Sequence, residues 1–398
     1  MSEGTMLRTD YDVVVVGARC AGAATAMLLA RQGLRVLAVE RTRYGSDTLS
    51  THALMRGAVL QLHRWGVLEA VAVAGTPPIR RTSFHYLDEE ISVPIKARAG
   101  VDALYAPRRT VLDAVLQDAA QEAGATLVHG ARVNDLLRDR HGRVCGVALE
   151  RPVGGVSRVG ARMVVGADGV RSTVARLVGA ETVHAGVHAT GNVYGYWRGL
   201  GLEEGTHWYW APGVGAGAIP TNHGETCVFA GMPVQRFRGE VRSDLEGAYL
   251  RILLECSPVL AAAVAGAEAA GELKAFAGVE GFLRHSWGPG WALVGDAGYF
   301  KDPITAHGIS DALRDAELLA RAVADGTEAA LARYQAERDE LSVGLLEITD
   351  AVASFDWTLD EVRQLHLDLS TEMNREVEAI LELDWPAPPA VAELARSA

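Results

Sequence analysis

YDVVVVGARCAGAATAMLLARQGLRVLAVE, Tyr11 to Glu40, decides the fold. YDVVVVG (11–17) is a continuous apolar run, as a strand buried on both faces requires. AGAATAMLLARQG continues as a helix with Gly33 at its C-terminal cap, and LRVLAVE (34–40) is the next strand. A strand, a helix and a second strand in succession predict a parallel, doubly wound sheet. Between the first strand and the helix lies GARCAG, Gly17 to Gly22. In a G-x-G-x-x-G turn the middle glycine lets backbone approach a pyrophosphate, and the helix start offers unpaired N–H groups and a positive dipole end. Arg19 holds that middle place here, and is expected either to add positive charge near phosphates or to point to solvent. Glu40, closing the second strand, is placed to take both ribose hydroxyls of an adenosine. An ordinary strand–helix turn with an incidental acid is the competing reading. The strand before, the helix after and the acid at the next strand's end weigh against it.

Outward from this stretch the pattern changes. RTSFHYLDEEISVPI (81–95) reads as a two-stranded antiparallel ribbon, and helical periodicity returns at Val111–Glu122. Shorter strands run through ARMVVGAD (161–168), followed by a helix from near Ser172. Between about 187 and 234, NVYGYWRG, THWYWAPG, GAGAIP and ETCVFAGMP form a strand-rich stretch where Trp and Tyr concentrate, as in a sheet presenting an aromatic wall. Arg242 to Ala270 reads as helical, as does about 328 to 383, where Thr358 and Glu361 fit a capping box. The tail from Trp385, WPAPPAVAELARSA, reads as loose. The expected organisation is a dinucleotide-binding unit (8–80, 103–178 and 283–327) interrupted twice by a mostly antiparallel β-rich substrate unit (81–102 and 179–282). A helical segment (328–398) is appended, and is expected either to pack on the first unit or to form a dimer interface.

Composition narrows the function classes. The 398 residues are 49% apolar and 22% charged, ordinary for a soluble globular enzyme with a sizeable core. The net charge is −12 and Arg pairs are short (Arg80-Arg81, Arg108-Arg109), so a nucleic-acid partner is not expected. Cys20, Cys145, Cys227 and Cys256 are widely spaced, without the spacing of a metal site, so no metal is expected and the thiols fit a reducing cytosol. Val13–Ala30 is apolar but interrupted by Gly17, Arg19 and Gly22, so neither a membrane span nor a signal segment is expected, and the location expected is cytoplasmic.

Two further turns resemble the first in plan. In GADGVRSTVARLVG (166–179) a strand ends at Asp168, Gly169 permits a tight turn and Ser172 can cap the following helix. In WALVGDAGYFKDPITAHGISDALRDAELLA (291–320) an apolar strand ends in Gly295-Asp296, a Pro/Gly loop follows, and an amphipathic helix begins near Gly308. An acid at a strand's carboxyl end can hold a ligand's hydroxyls beside the free N–H groups of the helix start. Each turn alone reads equally well as an ordinary βα connection with a buried Asp.

GARCAG, GADGVRS and GDAGYFKDPITAHGISDA in this order resemble the FAD-dependent monooxygenases with a para-hydroxybenzoate-hydroxylase-like fold, over about residues 10 to 325. The resemblance implies an α/β fold class: a Rossmann-like FAD-binding domain with a parallel sheet, an inserted mostly antiparallel β substrate domain, and C-terminal helices. It implies that GARCAG binds the ADP half of FAD and that the GD segment binds ribityl and pyrophosphate, with the DG segment between. In YAPRRTVLDAVL, Arg109 rather than Arg108 matches the family's pyrophosphate-neutralising arginine. The FAD contacts so implied are Gly17, Arg19, Cys20, Ala21, Gly22, Glu40, Arg41, Ser50, Arg109, Val133, Asp168, Gly295, Asp296, Pro303, Gly308 and Ile309. Cys20 lacks a partner cysteine, so its backbone N–H is the expected contributor. Three places depart from the family pattern: Arg19, Ala306 where many relatives have glycine, and SDTLSTHALMRG (46–57) in place of a Ser-Pro-Arg stretch.

The activity implied is a monooxygenase that uses NAD(P)H and O2, through a flavin C4a-hydroperoxide, to hydroxylate or epoxidise a small aromatic or polycyclic substrate. His52 and His307 fall in segments that the resemblance places beside the isoalloxazine, and either is a candidate base. A hydrogen-bonded structural histidine is the competing reading of each. Tyr194, Trp208, Trp210 and Phe229, with Tyr196, are candidates to line a pocket for a flat substrate, although aromatics alternating along strands serve equally as core. GVGAG (213–217) has no helix and acid after it, and reads as a small-residue strand or turn that lets the flavin ring come close. Trp208-Tyr209-Trp210 begins like a halogenase W-x-W-x-I-P motif but continues Ala-Pro, and Lys96, Lys274 and Lys301 lie in no matching motif. A geranylgeranyl-reductase-like enzyme that saturates isoprenoid double bonds is the main alternative, ahead of a halogenase or a non-catalytic FAD scaffold. A monomer or a homodimer fits equally.

Overall fold

The computed structural model describes residues 10–151, 155–241 and 244–383. Trp385 and the tail beyond it, and the start of the Arg242–Ala270 stretch, lie outside these. In chain order the elements that build the site are β1 (Asp10–Val16), α1 (Cys20–Arg31), β2 (Val36–Glu40), β3 (Arg81–Tyr86), β4 (Glu89–Pro94), α2 (Arg109–Glu122), β5 (Thr126–His129) and β6 (Gly155–Gly166). Then follow α3 (Thr173–Val178), β7 (Thr190–Arg198), β8 (Thr206–Ala211), β9 (Val214–Pro220), β10 (Thr226–Pro233), β11 (Trp291–Leu293), α4 (Gly308–Asp325), α5 (Glu328–Ala353) and α6 (Leu359–Glu382).

The first sheet runs β11, β6, β1, β2, β5 with parallel neighbours. An antiparallel hairpin (Arg132–Arg138 and Val144–Arg151) extends it beside β6. The valines of β1 explain the central place. Val13 and Val15 face a core shared with α1 and α4, while Val14 and Val16 face a second core with Leu37, Val39 and Val164. A strand covered on both faces has no polar side to spare, hence the unbroken apolar run. Register aligns the strand ends: Val16 and Leu293 both pair with Gly166. Gly17, Asp168 and Asp296 therefore all emerge at one carboxyl edge, the edge where open α/β sheets bind ligands.

Close backbone contact at this edge depends on two glycines. Gly17 has φ 96°, and a β-carbon there would lie 2.4 Å from the Ala167 carbonyl oxygen. A β-carbon on Gly22 would lie 1.9 Å from the Gly17 carbonyl oxygen. α1 ends at Arg31, with Gln32 as its cap, one residue earlier than expected, and Gly33 in the left-handed turn just beyond.

The second sheet is mostly antiparallel. β7, β10, β9, β8, β3 and β4 follow one another, with β8 and β3 parallel. One face buries Tyr194, Tyr196, Trp208, Trp210, Cys227 and Phe229 against Ala53, Ala106, Ile304 and Ala306 of the first unit's loops and against Phe355 and Trp357 of the α5–α6 corner. The opposite face carries helices Leu245–Cys256 and Pro258–Gly266, where the sequence pattern had one helical stretch. Ser257 separates them, accepting a hydrogen bond from the Leu260 N–H as an N-cap with Pro258 at the first helical position. GVGAG lies in a strand, as its small residues suggest. Gly215 and Gly217 lie within β9, and a β-carbon on Gly217 would meet the Phe229 ring at 2.4 Å and one on Gly215 the Trp210 ring at 3.2 Å. The small residues make room for neighbouring aromatic rings.

α5 packs on α4 and α6 on helix Arg56–Arg64, so the C-terminal segment sits on the first unit. α6 starts with the expected capping box, Thr358 and Glu361 each satisfying the other's backbone N–H.

Gly22→Ala should force α1 away from the Gly17 carbonyl. The expected loss is about 1–3 kcal/mol in urea unfolding, together with weakened FAD retention; unchanged stability would contradict the packing described.

Candidate active site

The glycine loop is braced by Glu40. The Ala18 N–H donates to Glu40 Oε2 (3.0 Å), while the Thr42 N–H (2.9 Å) and hydroxyl (2.7 Å) donate to Oε1. Burial would raise this carboxyl, but these donors outweigh it and hold the pKa below its ordinary value, so Glu40 is ionised. Each carboxylate oxygen keeps acceptor capacity for ribose hydroxyls. Arg41 is exposed beside it, and Val133 is buried in the adjoining hairpin strand.

Arg19 does not simply point to solvent. Its guanidinium turns inward, to Asp113 Oδ2 (2.9 Å) and the carbonyls of Ser46 (3.2 Å) and Asp47 (3.2 Å). It fastens the 42–47 loop to α2, because Asp113 is the nearby buried carboxylate able to pair it. Arg109 grips the same Asp113 from the other side, through Nε (3.1 Å) and Nη2 (2.9 Å). Its charge acts on both Cys20 and Asp296, which locates it between the two cradles. Arg108 faces the second sheet instead, 3.5 Å over the Tyr196 ring and paired with Glu225 (2.7 Å). Burial pushes the Cys20 thiol up to about 11, so it is no thiolate, and Cys20 takes part as the first residue of α1.

The GD segment meets the glycine loop directly. Gly295 has φ 57°, and a β-carbon there would lie 2.9 Å from Ala21 Cβ and 3.3 Å from Ala312 Cβ. Asp296 follows in a single 3₁₀ turn. Burial pushes its pKa up to about 6 against the attraction of Arg109 and Lys301. No hydrogen bond from a described residue reaches its carboxylate. A half-buried carboxylate without donors from the described residues, beside a helix N-terminus and a buried arginine, fits the hydroxyls of a ribityl chain. Asp168 differs from Asp296 in having donors. It accepts from the Ser172 hydroxyl (2.5 Å) and the Thr173 N–H (2.6 Å), which fix its carboxylate on its own turn, with Ser172 capping α3.

The loop into α4 is tightly organised. Asp302 accepts from the Thr190 and Ile304 N–H groups, setting the single turn Pro303–Thr305. Ala306 has φ 52°, a region glycine enters without steric cost. Gly308 and Ile309 open α4, and a β-carbon on Gly308 would meet nothing within 4 Å. His307, by contrast, is enclosed. Its Nδ1 lies 3.2 Å from Lys301 Nζ and its Nε2 2.9 Å from Glu376 of α6. Lys301 also pairs with Asp311, and Arg314 joins Asp311 (3.1 Å), Asp315 (2.7 Å) and Glu376 (2.9 Å). His307, Asp311 and Glu376 carry ligand-type atoms within 4.8 Å of one another. Lys301 and Arg314 already supply the positive charge there, which makes this a salt-bridge cluster. Buried among these charges, His307 fits the structural reading, its Nε2 close to Glu376 without hydrogen-bond geometry. Sequence reasoning missed the cluster. His307 and Asp311 are one helical turn apart, but nothing local points to Glu376.

On the substrate side, the Ser50 N–H donates to the Tyr194 hydroxyl (3.1 Å), and Ser50 Oγ accepts from the His52 N–H (3.0 Å). His52 is buried at the inner edge of the aromatic face. Tyr194, Trp208, Trp210 and Phe229 share that face, with Trp208 and Phe229 ring centroids 5.7 Å apart.

A glycine loop, a braced acid, a donor-free acid and an open helix start at one parallel-sheet edge, beside an aromatic antiparallel sheet, define an FAD-dependent oxidoreductase. The chain belongs to the FAD binding domain family, whose model matches residues 10–349. It is 30% identical over 342 residues to a menaquinone reductase of Mycolicibacterium smegmatis, covering 80% of this chain and 78% of that protein. It is 26% identical over 345 residues to digeranylgeranylglycerophospholipid reductase 1 of Methanococcoides burtonii, covering 83% and 79%. Among solved structures it resembles the flavin-dependent brominase Bmp2, with a TM-score of 0.77 at 21% identity over 96% of each chain. It also resembles PqsL of Pseudomonas aeruginosa, a "probable FAD-dependent monooxygenase", with a TM-score of 0.73 at 22% identity over 94% and 100%. These two show a shared fold. Among the described residues no helix is long and apolar enough to cross a membrane.

The raised pKa of Asp296 has a direction. Its stabilising contribution in the flavin-free protein is full below the ordinary value of 3.8 and is lost as pH rises through about 6. The ionised form, however, is the one that accepts ligand hydroxyls. FAD affinity should therefore fall on going from about pH 7 to about pH 5. Asp296→Asn should weaken FAD binding, flatten this dependence and raise the Tm of the flavin-free protein at neutral pH. Fluorescence titration and thermal melts test all three.

Glu376→Ala takes one of three carboxylates from buried Arg314, leaves a cavity between α4 and α6, and should cost about 2–5 kcal/mol in urea unfolding. Exposed Glu378→Ala on the same helix should cost far less.

Proposed function

We propose that this protein is an FAD monooxygenase that uses NAD(P)H and O2 to hydroxylate or epoxidise a small flat organic substrate. The observation that carries this reading is the enclosed aromatic face. Tyr194, Tyr196, Trp208, Trp210 and Phe229 pack toward Ala53, Ala106, Ile304 and Ala306, small or apolar residues of the two loops that flank the open start of α4. When bound, FAD supplies the oxygen-activating chemistry. The chain's own part is to hold the cofactor through the two cradles, and to present the α4 N-terminus to negative charge. It also keeps water from the aromatic face, on which Phe355 and Trp357 of the α5–α6 corner pack. The 46–57 segment, tied to the second sheet by Ser50 and Tyr194, supplies the wall specific to this chain.

A second reading is a reductase of carbon–carbon double bonds. It is favoured by the names of the two relatives at 30% and 26% identity, both reductases. An apolar aromatic face suits an isoprenoid chain as well as a flat ring.

Stopped-flow oxidation of the NAD(P)H-reduced protein separates the two. A monooxygenase consumes O2 in a substrate-dependent way and releases an oxygenated product. Anaerobic, substrate-dependent reoxidation with a saturated product would overturn the first reading in favour of the second.

A further inference from the structure

The aromatic face is closed to solvent. Tyr194, Tyr196, Trp208, Trp210 and Phe229 are each 7% exposed or less. A molecule arriving from outside reaches them only if a covering segment moves. The 46–57 segment and the α5–α6 corner, Ser354 to Thr358, both cover this face.

The two covers are fastened differently. The 46–57 segment is tied by polar bonds to both units. Arg19 donates to the Asp47 carbonyl (3.2 Å), Lys274 pairs with the Asp47 carboxylate (2.5 Å), and the Ser50 N–H donates to Tyr194 (3.1 Å). The corner has no such ties. Among the described residues, every hydrogen bond of Ser354 to Thr358 ends within residues 350–362. Trp357 Nε1, for example, donates to the Val352 carbonyl at 3.0 Å. Toward the second sheet the corner offers rings. Trp357 meets Trp210 edge-on, 6.1 Å between centroids and 70° between planes. A β-carbon on Gly215 would lie 3.7 Å from the Phe355 ring. Swinging this corner outward breaks no long-range hydrogen bond, which is what lets a segment open by itself.

Two more observations single out the corner. Phe355 has φ 54°, a left-handed backbone that is costly for an aromatic residue and is held there by packing. Beyond Trp357 lies an open cavity of about 360 Å³, lined also by Ala351, Ser354, Gln364 and Leu365. Small-molecule pockets run from roughly 300 to 1,000 Å³, so an indole ring fits a space of this size. Trp357, 9% exposed, is the wall between this cavity and the aromatic face.

We propose that the α5–α6 corner is the door through which substrate reaches the aromatic face. Trp357 withdraws into the outer cavity and Phe355 leaves the left-handed region. This uncovers the surface over Trp210 and Gly215, beside the Pro303–Thr305 turn. The bulk of the two rings then sets the size of flat ligand that enters. The opening motion stands on the corner alone, and its role in substrate entry rests on the proposed reading of the aromatic face.

Ile304→Cys supplies a reporter beneath the corner. Ile304 is 2% exposed, and its Cδ1 lies 3.2 Å from where a β-carbon would stand on Gly231, the strand partner of Gly215. Cys256, 4% exposed on the opposite face of the sheet, reports unfolding of the whole unit. The holoenzyme is labelled with N-ethylmaleimide or the flat N-(1-pyrenyl)maleimide, and each thiol is followed by peptide mass spectrometry. The introduced thiol should react about tenfold faster than Cys256. Gln364→Trp, on the exposed side of α6, fills the outer cavity and should slow it about fivefold. Trp357→Ala should speed it about tenfold, and more for the pyrenyl reagent than for the ethyl one. If Trp357→Ala loosens the whole fold, Cys256 accelerates in step and the ratio of the two rates still reads the door. A cover that never opens gives no response to Gln364→Trp. The proposal is overturned if the introduced thiol reacts no faster than Cys256, if Gln364→Trp leaves its rate unchanged, or if the pyrenyl reagent is excluded even from Trp357→Ala. A monooxygenase reading that fails on O2 consumption leaves these labelling results standing.

Discussion

The closeness of backbone to backbone at one sheet edge is the constraint on which the rest depends. Gly22 on α1 meets the Gly17 carbonyl where any β-carbon would collide, and Gly295 meets Ala21 and Ala312 almost as tightly. These approaches bring the N-terminus of α1 and the GD segment together into one elongated cradle. Because β1, β6 and β11 are parallel and in register at their ends, the acids that follow them arrive at a common edge. Arg109, clamped by Asp113, then lies within electrostatic reach of both halves. The ligand site follows from strand order and register, before any particular side chain is considered.

A second organising feature is buried charge. Glu376 reaches from α6 to Arg314 and His307, while Lys301 pairs with Asp311 under the loop that opens α4. Desolvating so many charges gives little net stability compared with apolar packing, but leaving any one unpaired is costly. The cluster thus works as a register device that holds the C-terminal helix in one position relative to the flavin-side loop. It also accounts for His307. A histidine enclosed by charged neighbours is fixed in place, while Asp296, to which no described residue donates, remains available to a ligand.

Much of this was legible in the chain. The βαβ opening, the Ser172 and Thr358 caps, the antiparallel ribbon and the aromatic strands all appear where period and turn residues put them. What was not legible shares one origin. The partners of Arg19 and of the GVGAG glycines, Asp113 in one case and the Trp210 and Phe229 rings in the other, lie on other elements. The bonds of Asp168 to its own helix start are likewise a choice that GADGVRS alone leaves open.

The sequence by itself determined the local elements and the identity of the cofactor class. Strand and helix periods and glycines at forced turns are written in neighbouring residues and need no distant partner. Only the tertiary structure decided which side chains share a space. It decided that Asp296 lies beside α1 without a donor, and that Glu376 closes a cluster around His307. The physical reason is that hydrogen-bond satisfaction and burial are properties of surroundings assembled from several elements. A residue's type states what it can donate or accept, and only packing states whether anything is there to meet it.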